Sequence, residues 1–170
     1  MSGLAAYFRE LFAGKDRVAV LGVGSELCHD DAAGPMVIER LAGRLGLSVG
    51  QAGEHVLLVC GYTAPENYTG LIKAFRPDVV LLLDAAYMDM PAGSVQALPA
   101  ERAAGLSFST HMLPLSMTMD YLRLECGCGC ALVGIQPATT EQGFGVSPRV
   151  EEGVRLLSDA LYDALNEKTK

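Results

Sequence analysis

Asp78-Val79-Val80-Leu81-Leu82-Leu83-Asp84 decides how this chain is read. Large apolar residues stand unbroken between two aspartates, with no polar residue at alternate positions. A run this short and this rich in valine and leucine fits a strand buried on both faces, inside a helix-covered sheet. The run closes on a carboxylate. In open α/β sheets, ligands bind just beyond the carboxyl ends of the strands. Asp84 is therefore the first candidate for chemistry, and a turn aspartate bonded to nearby backbone is an equal reading of it.

Working outward, residues 17–23, 55–60 and 131–136 are apolar runs of the same kind. Residues 94–98 form a short fourth strand in chain order, placed antiparallel at an edge. Helical patterns separate the strands. One begins between Asp31 and Pro35 and ends at Gly46, and one opens at Pro65 and stops at Arg76-Pro77. Another runs from Pro114 to about Leu124. The last is capped by Ser147-Pro148 and carries the stripe Val150, Val154, Leu157, Leu161 and Leu165. Leu4, Tyr7, Phe8, Leu11 and Phe12 mark a short amphipathic helix. The alternation predicts a three-layer α/β/α domain spanning residues 1–170, with residues 1–16 as a helical extension.

Composition narrows the partners. A net charge of −7 without a basic cluster excludes nucleic acid and anionic membrane as main partners. Charged residues at 19% and apolar residues at 50% describe a globular chain, not a disordered one. No apolar stretch reaches the roughly 18 residues that span a bilayer. Residues 1–14 lack the basic start of a secretory signal. The five cysteines are odd in number and fit a reducing compartment better than a disulfide framework, so the expected location is cytoplasmic.

The chemical motifs are few. Gly22-Val23-Gly24 invites a dinucleotide reading, but the third glycine of that fingerprint falls on Leu27. There is no P-loop, no Gly-x-Ser-x-Gly elbow and no His-Glu-x-x-His helix. Asp30-Asp31 follows the first strand, and its members are helix caps or metal ligands. His111 precedes a helix, as a structural histidine or a ligand. Two carboxylates and an imidazole would make an open site of the type used by zinc, nickel or iron. Cys28 and His29 adjoin it as minor contributors. Cys126, Cys128 and Cys130 alternate with glycine, which is not a usual zinc spacing. They read as a flexible surface loop, with redox or metal binding as the alternative. Cys60 reads as core.

Five segments, taken together, resemble the hydrogenase maturation endopeptidases, and most of all their hydrogenase 3 (formate hydrogenlyase) branch. They are Gly24 through Asp30-Asp31-Ala32-Ala33-Gly34-Pro35, then Gly61-Tyr62-Thr63-Ala64-Pro65-Glu66-Asn67, then Arg76-Pro77 through Leu82-Leu83-Asp84-Ala85. Thr110-His111-Met112-Leu113-Pro114-Leu115 and Gly134-Ile135-Gln136-Pro137 complete the set. They stand in the family's order from about Val18 onward. Ala32 and Ser25 depart from it, where the family usually has glycine and asparagine.

The resemblance implies a mixed, mostly parallel five-stranded sheet of the phosphorylase/hydrolase-like type. It implies that Asp31, Asp84 and His111 bind metal. It implies as substrate a nickel–iron hydrogenase large-subunit precursor, whose C-terminal extension is removed after nickel insertion. Nickel would then be supplied by the substrate, with zinc or cadmium as substitutes. The metal would serve for recognition, for catalysis, or for both, and Glu26 is a further candidate as a base. The alternative is a non-catalytic nickel-sensing chaperone that holds the precursor.

Overall fold

The structure is a computed structural model and describes residues 2–99 and 114–169. Five strands, β1 (Val18–Val23), β2 (Val56–Tyr62), β3 (Val79–Ala85), β4 (Val95–Leu98) and β5 (Gly129–Ile135), form one sheet in the order β2-β1-β3-β5-β4. β1, β2, β3 and β5 run parallel, and β4 is antiparallel to β5 at the edge. This is the mixed, mostly parallel sheet expected from the sequence. The helices are α1 (Ser2–Leu11), α2 (Ala33–Leu45), α3 (Thr69–Phe75), α4 (Leu115–Cys126) and α5 (Pro148–Leu165).

Strand side chains alternate between faces, and the core divides accordingly. Val18, Val20, Leu81 and Leu83 pack with Phe8 of α1, Ile38 and Leu41 of α2, and Leu157 and Leu161 of α5. Ala19, Leu21, Val80 and Leu82 pack with Ile72 and Phe75 of α3 and Leu115, Met119 and Leu122 of α4. The central run 79–83 is buried along its whole length because helices cover both faces.

Connectivity places the ligand edge. β1 leads through α2 to β2 on one side, and β2 returns through α3 to β3 on the other side of β1. α2 and α3 therefore lie on opposite faces, as right-handed crossovers in opposite directions require. The chain parts between the carboxyl ends of β1 and β3, which makes that crevice the topological switch point.

Three local expectations change. Gly61 and Tyr62 belong to β2, because a register shift at Gly22/Val23 sets Val23 against Tyr62. Pro65 opens a 3-10 turn, Pro65–Tyr68, ahead of α3, and Arg76 ends α3 in the left-handed conformation at φ 54°. Residues 126–130 are not a surface loop. Cys126 is the last residue of α4, Gly127 is its left-handed cap at φ 64°, and β5 has begun by Gly129. Pairing of Gly129 with Val79, and its N–H bond to the Asp78 carbonyl, pull this segment into the sheet. No described helix is long and apolar enough to cross a membrane. His111 lies outside the described residues.

Candidate functional site at the β1/β3 switch point

Glycine lets backbone approach backbone here. A Cβ on Gly34 would stand 2.3 Å from the Val23 carbonyl oxygen and 2.6 Å from that of Leu83. A Cβ on Gly22 would stand 2.5 Å from the Gly34 carbonyl oxygen. The first turn of α2 thus rests directly on the ends of β1 and β3. Gly24, at φ +135°, leaves no room for a Cβ beside the Asp31 carbonyl, only 1.7 Å away. The Gly-x-Gly that looked like half a nucleotide fingerprint is a packing device.

This seating delivers two carboxylates to the crevice. Asp31 lies in the 3-10 turn His29–Ala32 that leads into α2, and Asp84 lies near the end of β3. Both are 0% exposed. Burying an ionised carboxylate is costly unless donors or cations stand by it. For Asp31 one donor is the Ser25 N–H, 2.7 Å from Oδ2. The asparagine-to-serine departure at position 25 leaves this contact intact, since the donor is backbone.

Asp30 does different work, although it is equally buried. Its Oδ2 accepts N–H bonds from Ala138 at 2.8 Å and Thr139 at 3.1 Å, and the Ser147 hydroxyl at 3.1 Å. Its Oδ1 accepts the Ser147 N–H at 2.6 Å. Asp30 therefore fastens the loop between β5 and α5 to the loop after β1. His29 serves the same junction. Its N–H donates to the Gly143 carbonyl, its Nδ1 lies 3.0 Å from the Gly145 carbonyl oxygen, and its ring fills the place of a Gly143 side chain. Cys28 forms a backbone bridge with Gly143. Of the adjacent acids, Asp30 is thus the structural member and Asp31 remains the site candidate.

The far wall of the crevice is held by Gln136. Its Oε1 accepts the Met88 N–H at 2.6 Å and the Met90 N–H at 3.4 Å, and its Nε2 donates to the Pro137 carbonyl. The chain after β3 is thereby clamped to the end of β5. The segment Gly134-Ile135-Gln136-Pro137 shows no role for its glutamine in the sequence alone. A polar residue closing the apolar run 131–136 was the available signal.

The edge is acidic. The loops 24–32, 63–68, 86–94 and 136–147 carry Glu26, Asp30, Asp31, Glu66, Asp89 and Glu141, and no Lys or Arg. Burial pushes the Cys60 thiol up to about 11, with Glu39 and then Glu26 adding to the rise. Tyr62 is pushed up to about 12 by burial first, then by Cys60, Glu26 and Glu39. Glu26 is exposed but close enough for its charge to reach the end of β2. Cys60, as read from the sequence, is core, and its thiol donates to the Pro35 carbonyl.

Among the described residues, no three His, Cys, Asp or Glu side chains gather as a metal-holding group. Asp31 and Asp84 are brought to one crevice, and the remaining expected ligand, His111, falls outside the described residues. Leu27, Tyr87, Met90 and Phe144 are exposed on the surrounding loops. Tyr87 bonds the Thr140 hydroxyl, at 3.0 Å, across the mouth between the loops after β3 and β5.

An open α/β sheet with buried carboxylates at its switch point defines an α/β protein whose ligand edge is built to face positive charge. Comparison with known proteins gives the family. The HycI hydrogenase maturation protease family matches residues 35–164. The Escherichia coli K12 hydrogenase 3 maturation protease is 32% identical over 84% of this chain and 86% of its own length. The hydrogenase 2 maturation protease of the same strain is 29% identical over 89% and 92%. The crystal structure of a [NiFe] hydrogenase maturation protease HycI from Thermococcus kodakarensis superposes with a TM-score of 0.81 at 30% identity, covering 95% of this chain and 99% of that one. This chain belongs to the hydrogenase maturation protease family.

Proposed function

We propose that this protein is a cytoplasmic endopeptidase that removes the C-terminal extension of a nickel–iron hydrogenase large-subunit precursor. The observation that carries the reading is the placement of Asp31 and Asp84, both fully buried, at the β1/β3 crevice. In a family of maturation proteases, that crevice is where the precursor's metal would be met.

The donor chemistry suits this role. Two carboxylates with the imidazole of His111 would form a hard-to-borderline set suited to nickel, with zinc or cadmium as substitutes. Nickel would enter as part of the substrate, held by Asp31, Asp84 and His111, and would there supply polarisation of a carbonyl or a lowered pKa of water. The chain's own residues hold and orient. The Ser25 N–H fixes the Asp31 carboxylate, and the strand fixes Asp84. The cation-free loops raise the local concentration of a positively charged centre. Exposed Leu27 and Phe144 offer apolar contact to an extended tail. Glu26, exposed on the loop after β1, is a candidate base.

The test is intact-mass analysis of nickel-loaded precursor incubated with the purified protein. Loss of the C-terminal extension is expected, with Asp84→Asn and His111→Ala abolishing it while keeping the wild-type circular dichroism spectrum. Precursor that binds but keeps its full mass, while remaining cleavable by another protease, would establish the chaperone reading instead.

A further inference from the structure

Cys126, Cys128 and Cys130 lie at the opposite end of the sheet from the carboxylates. Gly129 pairs with Val79 at the start of β3. Asp84 is five residues further along, roughly 17 Å away at strand rise. The thiols converge on the last turns of α4. The Cys128 thiol donates to the Leu122 carbonyl and the Cys130 thiol to the Met119 carbonyl, each at 3.6 Å. The Cys128 thiol also lies beside the thiols of Cys130 and Cys126. All are free thiols, with Cys128 buried and the other two half-buried. They are not placed as a metal-holding group, so the cluster is read through thiol chemistry.

Backbone geometry selects a pair. Gly127 is left-handed at φ 64° and reverses the chain between Cys126 and Cys128. A helical or left-handed residue keeps its two neighbours' Cα atoms about 5.5 Å apart, within the disulfide range. Gly129 is strand, and an extended residue spaces its neighbours by roughly 6.7 Å, at the outer limit of that range. Cys126 and Cys128 are therefore the bridgeable pair, and Cys130 stands outside it. We propose that Cys126 and Cys128 form a reversible dithiol–disulfide site at the amino edge of the sheet, oxidised by hydroperoxides.

The neighbouring Cys130 thiol first, then the Cys126 thiol and the charge of Arg123, lower the Cys128 thiol against its burial. Burial holds the Cys126 thiol above its ordinary value. With the lowered Cys128 as the attacking sulfur once its proton is lost, Cys126 is the resolving thiol. The Cys128 thiolate attacks the terminal oxygen of the hydroperoxide. The O–O bond breaks, the alkoxide leaves and takes a proton, and Cys128 becomes a sulfenic acid. Cys126 sulfur then bonds to Cys128 sulfur, and the hydroxyl departs with the Cys126 proton as water. Two thiols have lost two electrons, and the hydroperoxide is reduced to alcohol and water.

The protein is treated, folded, with a small hydroperoxide and then alkylated. Cleavage after Arg123 and Arg149 releases all three cysteines in one peptide, away from Cys28 and Cys60. The expected peptide has lost two hydrogens, carries one alkyl group on Cys130, and regains three alkylation sites after reduction. Cys126→Ser and Cys128→Ser should abolish the hydrogen loss, and Cys130→Ser should retain it. Full alkylation of the treated wild-type peptide overturns the proposal. So does a Cys126→Ser protein, folded by circular dichroism, that still loses two hydrogens, since the bridge would then join Cys128 to Cys130.

Discussion

Replacing Asp30 by alanine should cost a large part of a domain's spare stability without touching the carboxylates of the crevice. Asp30 is fully buried and accepts three backbone N–H bonds and one hydroxyl bond, at 2.6 to 3.1 Å. Bonds to a charged acceptor are worth about 1.5–3 kcal/mol each. They do not sum, because water can reach part of the donors on the half-exposed 138–147 loop once the side chain is gone. Leaving buried donors unsatisfied costs about 1–3 kcal/mol each, and with partial rescue by water the total is about 3–5 kcal/mol. Against a total of about 5–15 kcal/mol, that lowers the melting temperature by roughly 10 °C for a chain of this size. Asp30→Asn keeps one good acceptor oxygen and should lose about half as much. Urea unfolding followed by circular dichroism measures both. An Asp30→Ala protein within about 1 kcal/mol of wild type would refute the structural role of Asp30, and with it the division of labour between the two adjacent aspartates.

The remaining expectations are simpler to read. Gly34→Ala sets a methyl group against two strand carbonyls and should cost about 3 kcal/mol, the upper end for overpacking. Thermal unfolding checks this, and a change under ~1 kcal/mol would mean that α2 does not rest on the strand ends. Asp78 accepts N–H bonds from Arg17 at 2.9 Å and Asp16 at 2.7 Å. The Arg17 bond first, then that from Asp16, holds its carboxyl below the usual value of 3.8. Its contribution is therefore present above about pH 4 and is lost as pH falls through the depressed folded value. The group is exposed, so the effect is under ~1 kcal/mol. Asp78→Asn should flatten the acid limb of a stability-against-pH curve, and an unchanged limb would remove Asp78 from the account.

Much of this was legible along the chain, and the failures have a common cause. Strand and helix identities follow from apolar periodicity, which is local. The extent of β5 was misjudged because Gly129 and Cys130 carry no strand signal of their own. They are strand through pairing with Val79 and Val80, some fifty residues away. The same holds for Gly22 and Gly34, whose absent side chains have meaning only when α2 meets β1 and β3.

The sequence by itself determined the layered α/β architecture, the run that became β3, and Asp84 as the carboxylate near its end. It also carried the family, because ordered short motifs survive where each alone is ambiguous. The resemblance singled out Asp31, but only the tertiary structure gave the physical reason that separates it from Asp30. The two are neighbours of one type, equally buried, and differ only in which distant backbone reaches them. Asp30 meets the N–H groups of the 138–147 loop, while Asp31 turns to Ser25 at the crevice beside β3. A carboxylate's role is set by the donors around it, and those donors come from parts of the chain that no local pattern brings together.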